Sequence, residues 1–221
     1  MSNIESDFCV NMVIIWGDFA DLAAGIEARL TGASVLVVEK MARSGGNSII
    51  SDGGMDTAGS SMQKEQGIND SPELMYRDML KAGQGLNSPE LAKAVAEKLV
   101  DTFEWVKNVL GVKFNDLVDH FGGHSLARTH ITQRVSGVDI VKPLTAKFQE
   151  LGGQLRVKIL MRELITKPNV GVVGVMLQSG FSLKKGGQGK YLPSIGALRG
   201  GDGNWRLWSR CGFPIGSGSS P

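Results

Sequence analysis

The feature that most constrains this chain is a short apolar strand that ends on an acid. Val35–Val38 is a run of β-branched and aliphatic residues without a polar interruption, and Glu39 follows it directly. A run of this length without alternation predicts a strand buried on both faces, as in a parallel sheet. Parallel α/β sheets bind their ligands at the carboxyl ends of their strands, so the acid falls where a ligand is expected.

The residues before this strand complete a βαβ unit. Val10–Ile15 is apolar and predicts a central parallel strand, and Phe19–Leu30 has the small-residue and Leu/Ile spacing of a helix. This order predicts the first unit of a Rossmann-type dinucleotide-binding fold. In such a unit the acid at the tip of the second strand accepts hydrogen bonds from the adenosine ribose. We therefore expect Glu39 to bind ribose.

Two glycine pairs follow the acid. The first lies in Ser44–Ser48 and the second in Ser51–Gly54, with hydroxyl and amide side chains beside them. Glycine lets the backbone pass close to a ligand, so its N–H groups can reach pyrophosphate or ring oxygens. The sequence thus predicts a nucleotide-binding loop after the strand.

These features together resemble a known family. The sequence resembles the flavoprotein-subunit family of fumarate reductases at Glu39–Lys40, Gly45–Ser48 and Ser51–Gly54. That family includes soluble fumarate reductases, flavocytochrome c and urocanate reductase. The resemblance covers about Val10 to Leu177. It implies an α/β fold, a Rossmann-like FAD-binding domain with a parallel sheet and a helical insertion.

The resemblance also implies FAD as the cofactor and assigns its contacts. Glu39 would hold the ribose, Ala20 would lie at the phosphate turn, and Met161 would offer a backbone contact to the adenine. The residues expected to bind FAD are Ala20, Glu39, Lys40, Gly45, Gly46, Asn47, Ser48, Ser51, Asp52, Gly53, Gly54 and Met161.

The phosphate turn departs from the family pattern. The family would have Gly-x-Gly-x-x-Gly, and an ungapped match replaces the three glycines with Trp16, Asp18 and Asp21. The two acids lie where a diphosphate would rest on the helix N-terminus, and like charges about 4 Å apart repel by roughly 1 kcal/mol in water-like surroundings and roughly 4 kcal/mol at an intermediate dielectric. Alternatively, Asp18 caps the following helix, a role that excludes phosphate binding by the same group.

Downstream, helix signals begin at Asn69. Ser71–Leu74 and Ser88–Leu91 each combine a Ser N-cap, a Pro in the first turn and an acid, which predicts two helix starts. The second helix is expected to end at Gly111. Its predicted apolar face consists of Leu91, Val95, Leu99, Phe103, Val106 and Leu110.

The last regular elements are a helix and two strands. Ile140–Leu151 predicts a helix, and Leu155–Leu160 and Val170–Met176 predict strands separated by a turn at Lys167–Asn169.

The loop Phe121–His130 also resembles the soluble fumarate reductases, where it runs beside the flavin and the substrate. Taken alone, it predicts a solvated polar loop. Its histidines suggest no metal site, because no third ligand of suitable type is placed nearby.

Composition excludes several classes. The 221 residues are 42% apolar, which is enough for a hydrophobic core. A net charge of +2 is too small to predict electrostatic attraction of nucleic acid. Cys9 and Cys211 lie near opposite ends and predict free thiols rather than a disulfide framework. Neither a signal peptide nor an apolar stretch of about 18 residues is present, so we expect a cytoplasmic protein without a membrane span.

The composition changes after Leu177. Residues 1–177 are expected to form a partial FAD-binding domain, and residues 178–221, rich in Gly, Ser, Lys and Arg, an aberrant and poorly ordered tail. Read one nucleotide later, with free choice at the wobble bases, Arg199–Phe213 can give Val-Val-Ala-Thr-Gly-Thr-Gly-Gly-Cys-Gly-Arg-Asp-Val-Ala-Phe, close to the Ala-Thr-Gly-Gly-Phe that the family has here. A frameshift is therefore a hypothesis for the tail, which sequencing the gene tests.

The resemblance implies the FAD-binding part of an oxidoreductase that adds a hydride from flavin N5, and a proton, to an activated carbon–carbon double bond. The family's dicarboxylate-binding and proton-donating residues lie in a second half that we expect to be missing from a truncated chain, so no catalytic residue is assigned. A second hypothesis is a non-catalytic fragment that binds FAD weakly or not at all. A third is an NAD-binding module, because the ribose acid does not distinguish the dinucleotides.

Overall fold

The computed structural model describes residues 8–182 and 191–196. The strands are β1 (Phe8–Val10), β2 (Met12–Ile15), β3 (Val35–Glu39), β4 (Gly54–Asp56), β5 (Thr129–Ile131), β6 (Gln154–Val157), β7 (Ile159–Lys167), β8 (Gly171–Ser179) and β9 (Tyr191–Gly196). The helices are α1 (Phe19–Leu30), α2 (Ser61–Glu65), α3 (Pro72–Ala82), α4 (Pro89–Asn108) and α5 (Val138–Glu150), with a 3₁₀ turn at Gly46–Ile50. The chain divides into two compact units, residues 1–46 with 148–221 and residues 47–147.

The first unit contains the predicted parallel sheet. Its strand order is β2-β3-β6, with both pairings parallel, and every residue of β3 is buried. The apolar run therefore forms the central strand, because only a position covered on both faces shields such a sequence from water. This confirms the α/β class and the βαβ unit.

Helix α1 covers this sheet over the predicted range. Its Gly25 faces Phe148 so closely that a Cβ would lie 2.9 Å from the ring. The Nε of Arg29 donates to the Leu151 carbonyl at 2.8 Å and joins the end of α1 to the segment before β6.

The predicted strand Val10–Ile15 is two strands instead of one. The break lies at Asn11, whose Oδ1 accepts from the Ser34 backbone N–H and from its hydroxyl, both at 2.8 Å. Residues before the break pair with β9, and residues after it pair with β3. A polar side chain that bonds locally thus divides the apolar run between two sheets.

The second sheet of this unit has the order β1-β9-β8-β7. The predicted strand Leu155–Leu160 is wrong in its bounds, because Lys158 has φ +58° and separates β6 from the longer β7. The predicted turn before β8 is confirmed, with Asn169 at φ +61°. The prediction from apolar runs missed most of β7, because charged residues interrupt the apolar residues of this strand.

Part of the predicted tail lies in this sheet. Strand β9 pairs with β1 in parallel and with β8 in antiparallel fashion, and it falls within 178–221. The boundary at Leu177 remains a prediction, and the segment Arg199–Phe213 lies outside the described residues.

The second unit is mainly helical. Ser71 and Ser88 are the N-caps of α3 and α4, as predicted, and each hydroxyl accepts a backbone N–H from the first turn. The predicted face of α4 is correct at Phe103 and Val106 but wrong in the first two turns. There Ala92 and Ala96 are buried, whereas the larger residues Leu91 and Val95 are 69% and 44% exposed.

Candidate cofactor-binding site

Glu39 lies at the carboxyl end of the central strand, where the sequence places it. It is 3% exposed and pairs with Val157 of β6. Its Oε1 accepts the Met41 backbone N–H at 2.7 Å, which fixes the carboxylate at the end of the sheet. Lys40 follows it and is exposed. A buried acid at this position has the location that a ribose-binding acid needs.

The turn before α1 is closed by its own side chains. The Oδ1 of Asp18 accepts the backbone N–H groups of Ala20 at 3.2 Å and of Asp21 at 3.5 Å. In return, the Oδ2 of Asp21 accepts the Asp18 backbone N–H at 3.3 Å. This reciprocal pair is a capping box, which satisfies donors that the helix leaves unpaired at its start. The alternative role of Asp18 as an N-cap is therefore confirmed.

Trp16 adopts a backbone conformation that favours glycine. Its φ is +89°, its side chain is 59% exposed, and its N–H donates to the Val38 carbonyl at 2.8 Å. A bulky residue at positive φ is strained, by about 1–3 kcal/mol for such outliers. The bend retains the shape of a glycine turn although the glycine is absent.

The acids of this turn have little electrostatic compensation. Burial raises the pKa of Asp21, and the hydrogen bond and charge of Asp18 and the charge of Glu39 raise it further, against a lowering by the Asp18 N–H. Within residues 8–182, no lysine or arginine forms an ion pair with these three carboxylates. Their negative charge is balanced mainly by backbone N–H groups.

The first glycine pair packs against this turn. Gly45 is buried at φ +112°, and its N–H donates to the Gly17 carbonyl at 2.6 Å. Gly46 has φ +44°, and a Cβ there would lie 3.9 Å from the Asp18 Cβ. The Asp18 side chain therefore lies beside the glycine loop of its own unit.

The second glycine pair belongs to the other unit, as do Asn47 and Ser48 of the 3₁₀ turn. The Gly54 N–H donates to Asp52 Oδ1 at 3.0 Å. Gly53 has φ +71°, its N–H donates to Ser51 Oγ at 3.3 Å, and a Cβ there would lie 2.6 Å from a hydroxyl of the same unit. That hydroxyl belongs to Thr132. Gly53 is thus required by internal packing, whatever it does toward a ligand.

Met161 lies in β7 opposite Leu177. Its partly buried side chain packs on the apolar cluster that contains Leu36 and Val38. Its backbone contact to adenine stays a prediction.

The expectation of a solvated loop at Phe121–His130 is wrong for Arg128 and His130, which are fully buried. Arg128 donates from Nε and Nη2 to both carboxylate oxygens of Asp70, at 2.6 and 2.8 Å, and from Nη1 to Asp78. Burial acts to raise the pKa of Asp78, but hydrogen bonds from Ser125 and Arg128 hold it at about 2. An ion cluster in which one guanidinium pairs with two acids is thus buried within the second unit.

Sequence reasoning missed this cluster although a signal existed. Asp70 stands directly before the N-cap Ser71, and Asp78 lies in the second turn of α3, so one helix start carries both acids.

His124 borders this cluster, and His130 lies buried elsewhere in the same unit. His124 Nδ1 lies 3.4 Å from Arg128 Nη1, and its Nε2 lies 3.4 Å from an Asp56 oxygen. His130 Nε2 lies 2.8 Å from the Ser60 hydroxyl, and burial lowers the pKa of His130. The described residues contain no group of three or more His, Cys, Asp or Glu side chains arranged to bind a metal ion.

The site fits FAD unevenly. The buried strand-end acid and the positive-φ glycines suit a dinucleotide. The start of α1 does not suit a diphosphate as it stands, because its N–H groups already bind Asp18.

Comparison with known proteins places the chain in a family. The model of a family described as an FAD binding domain matches residues 11–191. The acrylate reductase flavoprotein subunit of Shewanella woodyi is 36% identical over 200 residues, which cover 90% of this chain and 39% of that protein. NADH:fumarate oxidoreductase of Klebsiella pneumoniae is 41% identical over 120 residues, which cover 54% of this chain and 13% of that protein. The chain spans less than half the length of these relatives.

Solved structures agree with this assignment. The open conformation of a flavocytochrome c3 fumarate reductase superposes with a TM-score of 0.78 at 27% identity, over 87% of this chain and 33% of that one. A 3-ketosteroid-Δ4-(5α)-dehydrogenase from Rhodococcus jostii shares the fold at 22% identity, with a TM-score of 0.75 over 88% of this chain and 45% of that one.

Over residues 8–182, no helix is both long and apolar enough to cross a membrane.

The parallel βαβ unit, the strand-end acid and these matches lead to one conclusion: the chain belongs to the FAD binding domain family of flavoproteins, whose cofactor is FAD.

Proposed function

We propose that this chain is the FAD-binding part of a flavoprotein oxidoreductase that reduces an activated carbon–carbon double bond of the fumarate type. The observation that carries the proposal is Glu39, a buried acid at the carboxyl end of the central parallel strand, followed by a positive-φ glycine loop. The relatives named acrylate reductase and fumarate oxidoreductase support the substrate class.

Each predicted contact has a role in this proposal. Glu39 accepts hydrogen bonds from the ribose hydroxyls, and Met161 offers its backbone to the adenine. Ala20 lies at the phosphate turn, and Lys40, Gly45 and Ser51 belong to the same cofactor-binding set. The residues that line the pyrophosphate and the isoalloxazine are Gly46, Asn47, Ser48, Asp52, Gly53 and Gly54. When bound, the flavin supplies the hydride chemistry. The protein residues only bind and orient it.

A complete reaction needs a proton donor and groups that hold a dicarboxylate. We assign none within residues 8–182. The match to this chain covers 39% of the Shewanella protein, so the substrate class is proposed by way of that relative.

Titration of the purified chain with FAD tests the proposal through flavin absorption and fluorescence quenching. We expect saturable binding that Glu39→Gln weakens about tenfold, since one charged hydrogen bond is worth roughly 1.5–3 kcal/mol and each 1.4 kcal/mol is tenfold. Glu27→Gln is a matched control on an exposed helix position and should leave the affinity unchanged.

A non-catalytic fragment with weak FAD binding is the second candidate. The capping box at the start of α1 favours it, because the donors that would bind a diphosphate are occupied. Protein that is colourless when purified and stays free of flavin after added FAD would support this candidate over the first.

A further inference from the structure

We propose that Asp18 is a built-in competitor for the cofactor: its carboxylate occupies the anion position at the start of α1 and sets how tightly a nucleotide diphosphate binds. This inference rests on the proposed FAD site and specifies which residue limits its affinity.

The N–H groups at the start of α1 already have an acceptor. A helix N-terminus binds phosphate through backbone N–H groups that have no partner within the helix. Here the N–H groups of Ala20 and Asp21 donate to Asp18 Oδ1, at 3.2 and 3.5 Å. The first lies at the upper end of the ordinary N–H to oxygen range and the second beyond it, so a better acceptor can replace the carboxylate. A diphosphate oxygen and the carboxylate need the same donors and cannot use them together.

The electrostatics supply the second step. Asp18 lies beside Asp21, and Glu39 lies close enough to act on the pKa of Asp21. No described lysine or arginine pairs with these acids. A diphosphate therefore meets both an occupied set of donors and the negative charges of these acids.

The loop beside the turn supplies the third step. Gly46 has an exposed backbone at φ +44°, and its nearest neighbour in the Cβ direction is the Asp18 Cβ at 3.9 Å. The side chain of Asp18 therefore caps the helix start and lies beside Gly46 of the glycine loop in the same unit. Removing this side chain would free the helix N–H groups next to that loop.

Two variants separate occupation from charge. Asp18→Gly removes the acceptor and the charge, and glycine at an N-cap costs only a few tenths of a kcal/mol relative to a polar cap, so the helix is retained. Asp18→Asn keeps an acceptor for the same N–H groups and removes only the charge. Urea unfolding of each variant verifies that it is folded.

Binding of FAD, ADP and adenosine to the whole chain is measured by fluorescence and ligand-observed NMR. We expect Asp18→Gly to lower the dissociation constants of FAD and ADP about tenfold or more and to leave that of adenosine unchanged. Asp18→Asn should give a smaller decrease.

The proposal is overturned if Asp18→Gly leaves ADP affinity unchanged, if adenosine affinity changes as much as ADP affinity, or if Asp18→Asn equals Asp18→Gly. If neither the parent nor any variant binds FAD, ADP or adenosine, the proposed FAD site itself fails. If adenosine binds but the Asp18 variants do not change the affinity for ADP, the role of Asp18 as a competitor is overturned and the proposed FAD site is not.

Discussion

Carboxylates come together in two regions of this molecule, the turn before α1 and the cluster around Arg128, and the two regions stabilise them in opposite ways. In the cluster, Asp70 and Asp78 share one guanidinium, and the pKa of each acid is lowered. In the turn, Asp18 and Asp21 each accept different backbone N–H groups, and the pKa of Asp21 is raised. A buried acid with a cation contributes to the scaffold, whereas an acid without one is poorly compensated and can exchange its partners for a ligand.

The largest expected effect comes from removing the shared cation. Arg128→Met should destabilise the chain by about 3–5 kcal/mol, because it leaves buried acids without their partner. Urea unfolding at pH 7 measures this change. Arg77→Met is the matched control, because Arg77 pairs with Glu73 on the surface and such a pair contributes at most about 1 kcal/mol. If both variants lower the free energy of unfolding equally, the buried ion cluster is no more stabilising than the surface ion pair.

The second effect separates the two regions by pH. The pKa of Asp78 in the fold, about 2, lies below its ordinary value of 3.8, so its stabilisation is present above pH 4 and is lost as the pH falls toward 2. Asp78→Asn should cost roughly 2 kcal/mol at pH 7 and flatten this acid limb of the unfolding free energy.

Asp21 should behave with the opposite sign. Its pKa is raised in the fold, so its ionisation opposes folding, and this penalty disappears as the pH falls through the raised value. Asp21→Asn should therefore raise stability at pH 7 slightly and leave it unchanged at low pH. If Asp21→Asn instead lowers stability at pH 7, the charge of Asp21 is stabilised in the fold, and the contrast with the Arg128 cluster fails.

A smaller gain is expected at the altered turn. Trp16→Gly removes a bulky side chain from φ +89° and should stabilise the chain by about 1 kcal/mol. Thermal unfolding measures the change, and Val13→Gly, within β2, should destabilise instead. A destabilised Trp16→Gly variant would mean that packing of the indole outweighs the strain.

The smallest effect tests the cap itself. Asp18→Ala should cost about 1 kcal/mol, since it removes the acceptor of two backbone N–H groups. Asp18→Asn should cost no more than a few tenths, because asparagine caps as well as aspartate does. Urea unfolding of both variants compares them, and an equal loss would indicate that charge rather than hydrogen bonding stabilises the turn.

Local patterns predicted much of the first unit. The buried strand Val35–Glu39, the helix Phe19–Leu30 and the caps at Ser71 and Ser88 follow from apolar runs and capping chemistry that act within a few residues. Predictions failed where a residue's partner lies far along the chain. The Asn11 break depends on Ser34, and the burial of Arg128 depends on acids 50 and 58 residues away.

The sequence by itself determined the parallel α/β core, the acid at its strand end and the resemblance to FAD-binding flavoproteins, because periodicity and short motifs encode them directly. Only the tertiary structure decided that Asp18 closes the turn before α1 and that Arg128 lies in a buried ion cluster. A charged side chain carries no local signal of its partner, and its role is set by the donors, acceptors and charges that the folded chain brings within hydrogen-bonding distance.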